Sequence, residues 1–377
     1  MRFADYYLQY IRDRESNWSE LEAEHVNLLN AVRRLQEVND HDRLCVLRDA
    51  LQPYLDLQGH WEDSLTLNDW AMAAAQAKSD YVTTARFTHD KADILNQMGE
   101  YRQAEHYYQL SEQAYLTAGS QEMALRSRHM RAMVIRAQGR LAEADRLCEA
   151  TITDSQRLGL DRWIAHPLYV RALLARDRGN FKSAQRWIHE SLNRLMGSEE
   201  DAMIAQCYHF LGELALLQGD LLEARTQLIR SLELSQKVGI IRRVAATQRL
   251  LGDVARAEGQ YDEASRLYHE ALTISNQLGD RPQVARIEVS RGELAVRLKR
   301  TREAQELLQI ALNIYHEIGD PRGEIGALWQ LARLEFKQGR FSLALRHGFS
   351  IVHGARRSGL LQPGLLVGIL QRERRKL

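Results

Sequence analysis

The sequence contains few of the residues on which several classes of protein depend. Its 377 residues include only three cysteines and five prolines, and 7% are aromatic. The cysteines, Cys45, Cys148 and Cys207, are too few and too scattered for a disulfide framework, and they are typical of a reducing compartment. The longest apolar run, residues 359–370, is interrupted by Gln-Pro-Gly and is shorter than the ~20 residues of a membrane helix. We therefore expect a cytoplasmic protein without a membrane segment.

Neither sign of charge dominates the sequence. The 51 lysines and arginines nearly balance the 50 aspartates and glutamates, for a formal net charge of +1. Recognition of duplex nucleic acid normally requires a broad positive field, which this balance does not provide. Nucleic acid is therefore not an expected partner.

The sequence also lacks the short motifs that carry catalytic chemistry. It has no phosphate loop, no Gly-x-Gly-x-x-Gly dinucleotide loop and no Gly-x-Ser-x-Gly nucleophile elbow. His-Glu pairs begin at His189, His269 and His316, but none continues to the second histidine of a zinc protease site. We expect no enzymatic activity, no cofactor and no metal ion.

Two series of residues recur every 40 positions. Proline is scarce, alternating strand patterns are missing, and Ala, Leu, Glu, Gln and Arg dominate every window, so the chain is predicted to be all-α. Glycine at a helix end adopts a left-handed conformation without steric cost, which predicts a turn at each site. The first series is Gly59, Gly99, Gly139, Gly179, Gly219, Gly259, Lys299 and Gly339, and the second is Ser79, Gly119, Gly159, Glu199, Gly239, Gly279, Gly319 and Gly359.

Small and bulky residues keep fixed distances from the first series, whose members we call turn residues. A bulky residue usually follows the turn residue by two positions and an alanine by five, and small residues stand seven before and twelve after it. Small residues let paired helices approach closely. At Lys299 a left-handed backbone costs a non-glycine residue about 1 kcal/mol, so the seventh unit is predicted to be the weakest.

This arrangement resembles the tetratricopeptide repeat in a 40-residue form. The resemblance implies a right-handed superhelical solenoid of antiparallel helix pairs, with eight repeats over residues 41–360. Residues 1–40 are then an N-terminal helical cap, or a linker to an ATPase core that the sequence does not contain. Residues 361–377 are predicted to be a C-terminal cap and basic tail.

Residues 1–40 have a pattern of their own. Trp18, Leu21, Glu24, Asn27-Leu28 and Ala31 follow one another at helical spacing just before the first repeat. The pattern resembles the junction between the ATPase core and the repeat arm of STAND-class signalling ATPases, which include maltose-regulator-like transcription activators. The alternative is a simple capping helix pair. The missing phosphate loop means that no nucleotide site follows from the resemblance.

The resemblance also implies where a ligand would bind. In such folds the first helix of each pair lines the concave face, at positions thirteen, ten, six and three before the turn residue. We call these positions the A-helix face. Histidines, arginines and acids concentrate there, whereas imidazoles on neighbouring helices 8–10 Å apart are too distant to share one metal ion. The candidate ligand-binding residues are Arg86, His89, Asp93, Arg126, His129, Arg136, Tyr169, Arg176, His209, Arg249 and Asp253.

A polar, mildly cationic face of this kind suits anionic partners. Arginine binds carboxylates through two parallel hydrogen bonds and stacks on planar groups. We therefore expect a non-enzymatic binding or sensor module that recognises a peptide, a protein segment or a small-molecule inducer within a signalling or transcriptional regulator. The alternative is a free-standing cytoplasmic adaptor scaffold or peptide-pheromone receptor.

Overall fold

The computed structural model describes residues 2–14 and 18–357, and this part of the chain contains nineteen α-helices and no strand. The predicted all-α fold is confirmed. None of the described helices is both long and apolar enough to cross a lipid bilayer. The helices are α1 (Arg2–Arg12), α2 (Trp18–Ala23), α3 (His25–Glu37), α4 (His41–Gln58), α5 (Trp61–Ala77), α6 (Tyr81–Gln97), α7 (Tyr101–Thr117), α8 (Gln121–Ala137), α9 (Leu141–Arg157), α10 (Ala165–Asp177), α11 (Phe181–Leu195), α12 (Asp201–Gln218), α13 (Leu221–Lys237), α14 (Ile241–Ala257), α15 (Tyr261–Gln277), α16 (Arg281–Arg297), α17 (Thr301–Glu317), α18 (Pro321–Lys337) and α19 (Phe341–Arg357).

The chain divides into two compact units, Met1–Ala137 and Gln138–Leu377. The first contains α1 to α8 and the second α9 to α19. Within each unit, helices that follow one another in the chain pack side by side. From α4 onward the helices alternate between the first and second members of the predicted pairs, so a solenoid of helix pairs is the observed architecture. The predicted C-terminal cap and tail at 361–377 lie outside the described residues, and the domain boundaries stay a prediction.

Each helix begins and ends for a local reason. Several start at an Asp or Asn whose side chain accepts a hydrogen bond from a backbone N–H of the first turn, as Asp80 and Asp220 do. The turn residues then reverse the chain with a positive φ, from 60° at Lys299 to 83° at Gly219. Lys299 thus adopts the left-handed conformation predicted for it.

The turn predicted at Glu199 lies elsewhere. Helix α11 ends at Leu195, two residues before the helix ends of most equivalent units, and Gly197 has the positive φ of 83°. A glycine two residues earlier satisfies the left-handed conformation at less steric cost than a glutamate would. The prediction of a turn at position 199 was therefore wrong by two residues.

Serines on the second helices join the two members of a pair. Ser111, Ser191 and Ser231, each twelve residues after a turn residue, are fully buried. Each donates a hydrogen bond to a backbone carbonyl oxygen 26 residues earlier, on the first helix of the same pair, at 2.7–2.9 Å. The small size predicted for this position is confirmed, and the hydroxyl also satisfies its own hydrogen-bonding need in the core.

The N-terminal helices complete the core of the first unit. Leu21, Leu28 and Ala31 are buried together with Leu47 and Leu51 of α4. The described part of the predicted apolar face, residues 21–31, therefore packs against the first repeat. Both predictions for this segment, a junction and a simple cap, are compatible with that contact.

Candidate functional site

The A-helix face of the first unit is organised by a buried arginine that the sequence did not single out. Arg48 of α4 is 2% exposed. Its guanidinium donates to Asn68 Oδ1 at 2.6 Å, to Asp90 Oδ2 at 2.8 Å and to Asp49 Oδ1 at 3.0 Å. Arg86 of α6 binds both oxygens of Asp49, at 3.0 and 2.9 Å. Two arginines and two aspartates thus join α4 to α6, and Arg86 is already occupied by a carboxylate.

His89 lies inside the same face and is only 3% exposed. Its Nδ1 is 2.9 Å from the hydroxyl of Ser127 on α8, and its Nε2 is 3.7 Å from Asp93 Oδ2. Burial and the nearby positive charge of Arg126 lower the pKa of His89 to about 4, so the neutral imidazole dominates at pH 7. His89 therefore connects helices rather than carrying a charge for a ligand.

The low pKa of His89 makes the stability of the fold depend on pH. An unfolded histidine takes up a proton as the pH falls below about 6.5, whereas the folded His89 does so only near pH 4. The stability contribution is therefore fully present above pH 6.5 and is lost as the pH falls towards 4. Between pH 7 and pH 5 we expect it to lower the free energy of unfolding by about 2 kcal/mol.

Urea unfolding at the two pH values, for the wild type and the His89→Gln variant, measures this effect. The variant should lose less stability on acidification than the wild type. The exposed His106, replaced by glutamine, is the control and should behave as the wild type does. Equal pH dependence in the wild type and His89→Gln would contradict the assignment.

The other predicted residues of the first unit differ in exposure. Asp93 accepts a hydrogen bond from the buried Tyr108 hydroxyl, and burial raises the pKa of its carboxyl. Arg126 is exposed, whereas His129 and Arg136 are half-buried. Of this group, Arg126 is the residue most accessible to a partner.

In the second unit, Arg176 of α10 connects two helices through charge. It is 8% exposed and donates to Glu213 Oε2 of α12 at 2.6 Å and to Asp177 Oδ1 at 3.3 Å. The guanidinium carbon lies 5.3 Å from the centre of the Phe210 ring. An arginine enclosed by two carboxylates and an aromatic ring stabilises the contact between helices.

Arg249 and Asp253 belong to a polar ladder along α14 and α16. Asp253 accepts from Arg249 at 2.8 Å, from Tyr268 at 2.8 Å and from Arg256 at 3.3 Å. Arg256 in turn lies 2.6 Å from Glu293 Oε2.

His209 makes the same kind of contact as His89. Its Nδ1 is 3.0 Å from the hydroxyl of Thr247, and each of the two histidines contacts a hydroxyl of the residue 38 positions later in the chain. The Tyr169 ring packs edge-on against Phe210, with centroids 5.9 Å apart.

The exposure predicted for the A-helix face is therefore wrong at several positions. His89, Tyr169, Arg176 and Asp253 are buried. They bond to side chains or rings of neighbouring helices, which the sequence pattern could not specify. Their assignment as ligand contacts stays a prediction, and the more exposed members of the set are better placed for that role.

A second feature, which we call the cationic cleft, was not predicted and only partly overlaps the A-helix face. It is a depression of about 280 Å³ between α16 and α18, and its lining includes Arg297, Lys299, Arg333 and Lys337. Arg256 and Glu293 also line it, but they are paired with each other. Among the residues that the structure describes, none of the four basic side chains has an acidic partner within ion-pair distance. The sequence signal for the cleft was Lys299, which replaces glycine at a turn.

The first unit has a depression of opposite charge. It encloses about 330 Å³ and is lined by Asp56, Asp90 and Asp93, together with uncharged residues. Asp90 is neutralised by Arg48 at 2.8 Å. The net charge of this depression is smaller in magnitude than that of the cationic cleft. We assign it no ligand.

Comparison with known proteins supports the repeat assignment. A tetratricopeptide repeat family model matches residues 201–277 and 243–317, which together span about a third of the chain. A search of the curated proteins found no match. The matched segment contains α12 to α17, and it includes the polar ladder and part of the cationic cleft.

Solved structures share the fold at low sequence identity. The Rap conjugation gene regulator of plasmid pLS20, in complex with the Phr peptide, has a TM-score of 0.65 and 13% identity over 90% of this chain and 97% of that one. The quorum sensor NprR from B. thuringiensis, in its apo form, has a TM-score of 0.59 and 13% identity over 89% and 99%.

A third similar structure contains a repeat arm within a larger protein. The STAND protein PH0952 from Pyrococcus horikoshii, which has a tetratricopeptide repeat sensor, has a TM-score of 0.52 and 13% identity. The match covers 96% of this chain but 54% of PH0952. At such identities the likeness establishes the fold alone. The family model thus identifies tetratricopeptide repeats in residues 201–317, and these structures share the helical fold of the chain.

Proposed function

We propose that this chain is a non-enzymatic binding module that takes an acidic peptide or protein segment at the cationic cleft of its second unit. The cationic cleft carries the proposal. Its four basic side chains, Arg297, Lys299, Arg333 and Lys337, converge without acidic partners among the described residues. Most other arginines of the A-helix face have their carboxylates within the fold, so this cleft is where an external anion gains most.

Electrostatics explains why an anion would bind there. Like charges held near one another repel, and an anionic guest relieves that repulsion. Arginine offers a planar fork to a carboxylate, and lysine adds a mobile point charge. The backbone of Lys299 is strained, because its φ of 60° lies in the left-handed region that favours glycine. Strain of this kind concentrates at functional sites.

The similar structures give independent support for a peptide as the guest. One of them was solved in complex with a Phr peptide, and another is a quorum sensor. Both align with about nine-tenths of this chain. A peptide uses the length of a helical solenoid better than a small inducer does, because its side chains can reach several repeats.

A role as the sensor arm of a STAND-type regulator is the second candidate. The PH0952 structure favours it, because 96% of this chain aligns with a protein that carries such a sensor. A free-standing cytoplasmic adaptor or peptide-pheromone receptor is the alternative. A phosphate loop encoded upstream in the same reading frame would support the sensor arm, and a gene for a small secreted peptide beside an independent start would support the receptor.

Binding can be measured by fluorescence anisotropy with a labelled glutamate-rich hexapeptide that has a free C-terminal carboxylate. We expect the Arg333→Glu variant to bind it at least about tenfold more weakly, since it removes one favourable charge and adds a repulsive one. Lys299→Gly should also weaken binding, but it should raise the free energy of unfolding by about 1 kcal/mol by removing the strain.

Two controls make this test specific. The same peptide with glutamine in place of glutamate and an amidated end should bind weakly to every variant. Arg302→Glu changes an exposed arginine of α17 that pairs with Glu306 and does not line the cleft. It should leave affinity within about twofold of the wild type. Equal affinity for the two peptides, or an unchanged affinity of Arg333→Glu, would refute the proposal.

A further inference from the structure

Two histidines and two carboxylates meet where the N-terminal helices touch the first repeat. Glu22 lies on α2, His25 begins α3, His60 precedes α5, and Asp63 belongs to the first turn of α5. His60 Nε2 is 2.9 Å from Glu22 Oε2, and His25 Nε2 is 3.0 Å from Asp63 Oδ2. The two imidazole rings stack with centroids 4.1 Å apart. Elements distant in sequence thus bring nitrogen and oxygen donors together.

Tyr54 has more acceptors around it than it has protons to donate. Its hydroxyl is 2.6 Å from Glu22 Oε2 and 3.0 Å from His25 Nδ1. If Asp63 accepts the proton on His25 Nε2, then Nδ1 has a free lone pair directed towards Tyr54. A neutral phenol can donate to the carboxylate or to that lone pair, but not to both. A neutral His25 therefore leaves a nitrogen lone pair beside a carboxylate.

His60 brings the second imidazole to this place. It occupies the N-cap position of α5, yet its side chain makes no capping hydrogen bond. Ser, Thr, Asp and Asn are the residues preferred at an N-cap, because they satisfy the first N–H groups of a helix. The imidazole of His60 instead contacts the carboxylate of Glu22.

We propose that Glu22 Oε2, His25 Nδ1 and His60 Nε2 bind a divalent transition-metal ion of the zinc class. One potential ligand atom from each of the three residues lies within 4.8 Å of the others. Tetrahedral ligands about 2.1 Å from zinc are ~3.4 Å apart, so small side-chain rotations close the site. Two imidazoles and one carboxylate suit zinc, cobalt or nickel and disfavour calcium and magnesium, which prefer all-oxygen sites.

The neighbouring residues would hold the ligands in place. Asp63 accepts the proton of His25 Nε2 and so directs Nδ1 to the metal, and Tyr54 donates to Glu22. Hydrogen bonds of this kind orient metal ligands and typically change affinity by about 10–100-fold. A bound ion would link α2 and α3 to the turn before α5, and would therefore fasten the N-terminal helices to the first repeat. The proposal is independent of the ligand proposed for the second unit.

The test uses untagged full-length protein and two metal ions as probes. Titration with Co²⁺ at pH 7.5 should produce visible absorption bands of a tetrahedral or five-coordinate site that saturate at one equivalent. Zn²⁺ should then displace the cobalt and abolish the bands. Zinc should also raise the midpoint of thermal unfolding, and EDTA should reverse that rise.

Variants identify the residues responsible. His60→Gln and Glu22→Gln should each weaken zinc binding at least about 100-fold, and Asp63→Asn should weaken it about tenfold. His106→Gln, an exposed histidine of the same unit, should not change it. Circular dichroism of each variant without metal checks that the helices are intact, and the cobalt spectrum reports the ligands directly. Saturation without visible bands, no binding at one equivalent, or an unchanged His60→Gln would each overturn the proposal.

Discussion

Replacing Arg176 by alanine is expected to lower the free energy of unfolding by about 3–5 kcal/mol. The arginine is buried, and it donates to Glu213 Oε2 at 2.6 Å and to Asp177 Oδ1 at 3.3 Å. Alanine would remove this cation from the buried Asp177 and from the half-buried Glu213. Uncompensated charge in such a site costs far more than a surface pair gains.

Urea unfolding followed by circular dichroism measures this loss. The matched control is Arg302→Ala, because Arg302 is 94% exposed and forms a pair with Glu306 on the same helix. That change should alter the free energy of unfolding by less than about 0.5 kcal/mol. A loss below about 1 kcal/mol for Arg176→Ala would show that water solvates Glu213 and Asp177 in the variant, and would contradict the role assigned to Arg176.

The second large effect is expected at Gly252, seven residues before the turn of its repeat. A Cβ atom there would lie 2.5 Å from Cε1 of Tyr268. Tyr268 cannot move away easily, because it is fully buried and its hydroxyl bonds to Asp253 at 2.8 Å. We expect Gly252→Val to lower the free energy of unfolding by about 3 kcal/mol, since the core has no space for the added carbons.

Gly326 offers the matched control for this prediction. It also lies inside a helix of the second unit, but a Cβ atom there meets no heavy atom within 4 Å. The same substitution at Gly326 should be neutral or slightly stabilising, because valine has a higher helix propensity than glycine. Thermal and urea unfolding of the two variants provide the comparison. Similar losses at both positions would mean that the contact with Tyr268 does not explain the effect at Gly252.

The repeat architecture was predictable because it depends on local chemistry that recurs. Glycines at a period of 40 mark left-handed turns, and small residues seven before each turn mark close helix contacts. Both signals can be read from the order of the residues alone. Lys299 has the predicted left-handed backbone although it is not a glycine. The turn at Gly197 was missed because the 40-residue period predicted a turn two residues later, at position 199.

The pairing within the A-helix face was harder to predict, although the sequence contains a signal for it. The contacts of Arg176 with Glu213 and of Arg256 with Glu293 both join residues 37 apart. A repeat length of 40 brings equivalent positions side by side, and side chains three positions nearer in sequence then meet across adjacent helices. When each position of the repeat is considered alone, its residue types predict an exposed row of basic side chains. Their burial depends on a partner in the next repeat.

The cationic cleft could not be found from that row either. Its basic residues stand at different offsets from the turn, so no single position in the repeat pattern collects them. Arg297 and Lys337 share the offset two before the turn residue, Arg333 stands six before it, and Lys299 is itself a turn residue. Only the packing of α16 beside α18 brings these side chains to one cleft.

The bonds between adjacent repeats use an acid that recurs at one position of the second unit. Glu213, Asp253 and Glu293 occupy the same position in three successive repeats, and each is an acid. A recombination event that removed one repeat of 40 residues would place Asp253 where Glu213 now meets Arg176, with a carboxylate again opposite the guanidinium. Loss of the repeat that contains Glu213 would thus leave the buried Arg176 with a counter-charge. At this junction the array can lose a repeat during evolution without first acquiring a compensating mutation.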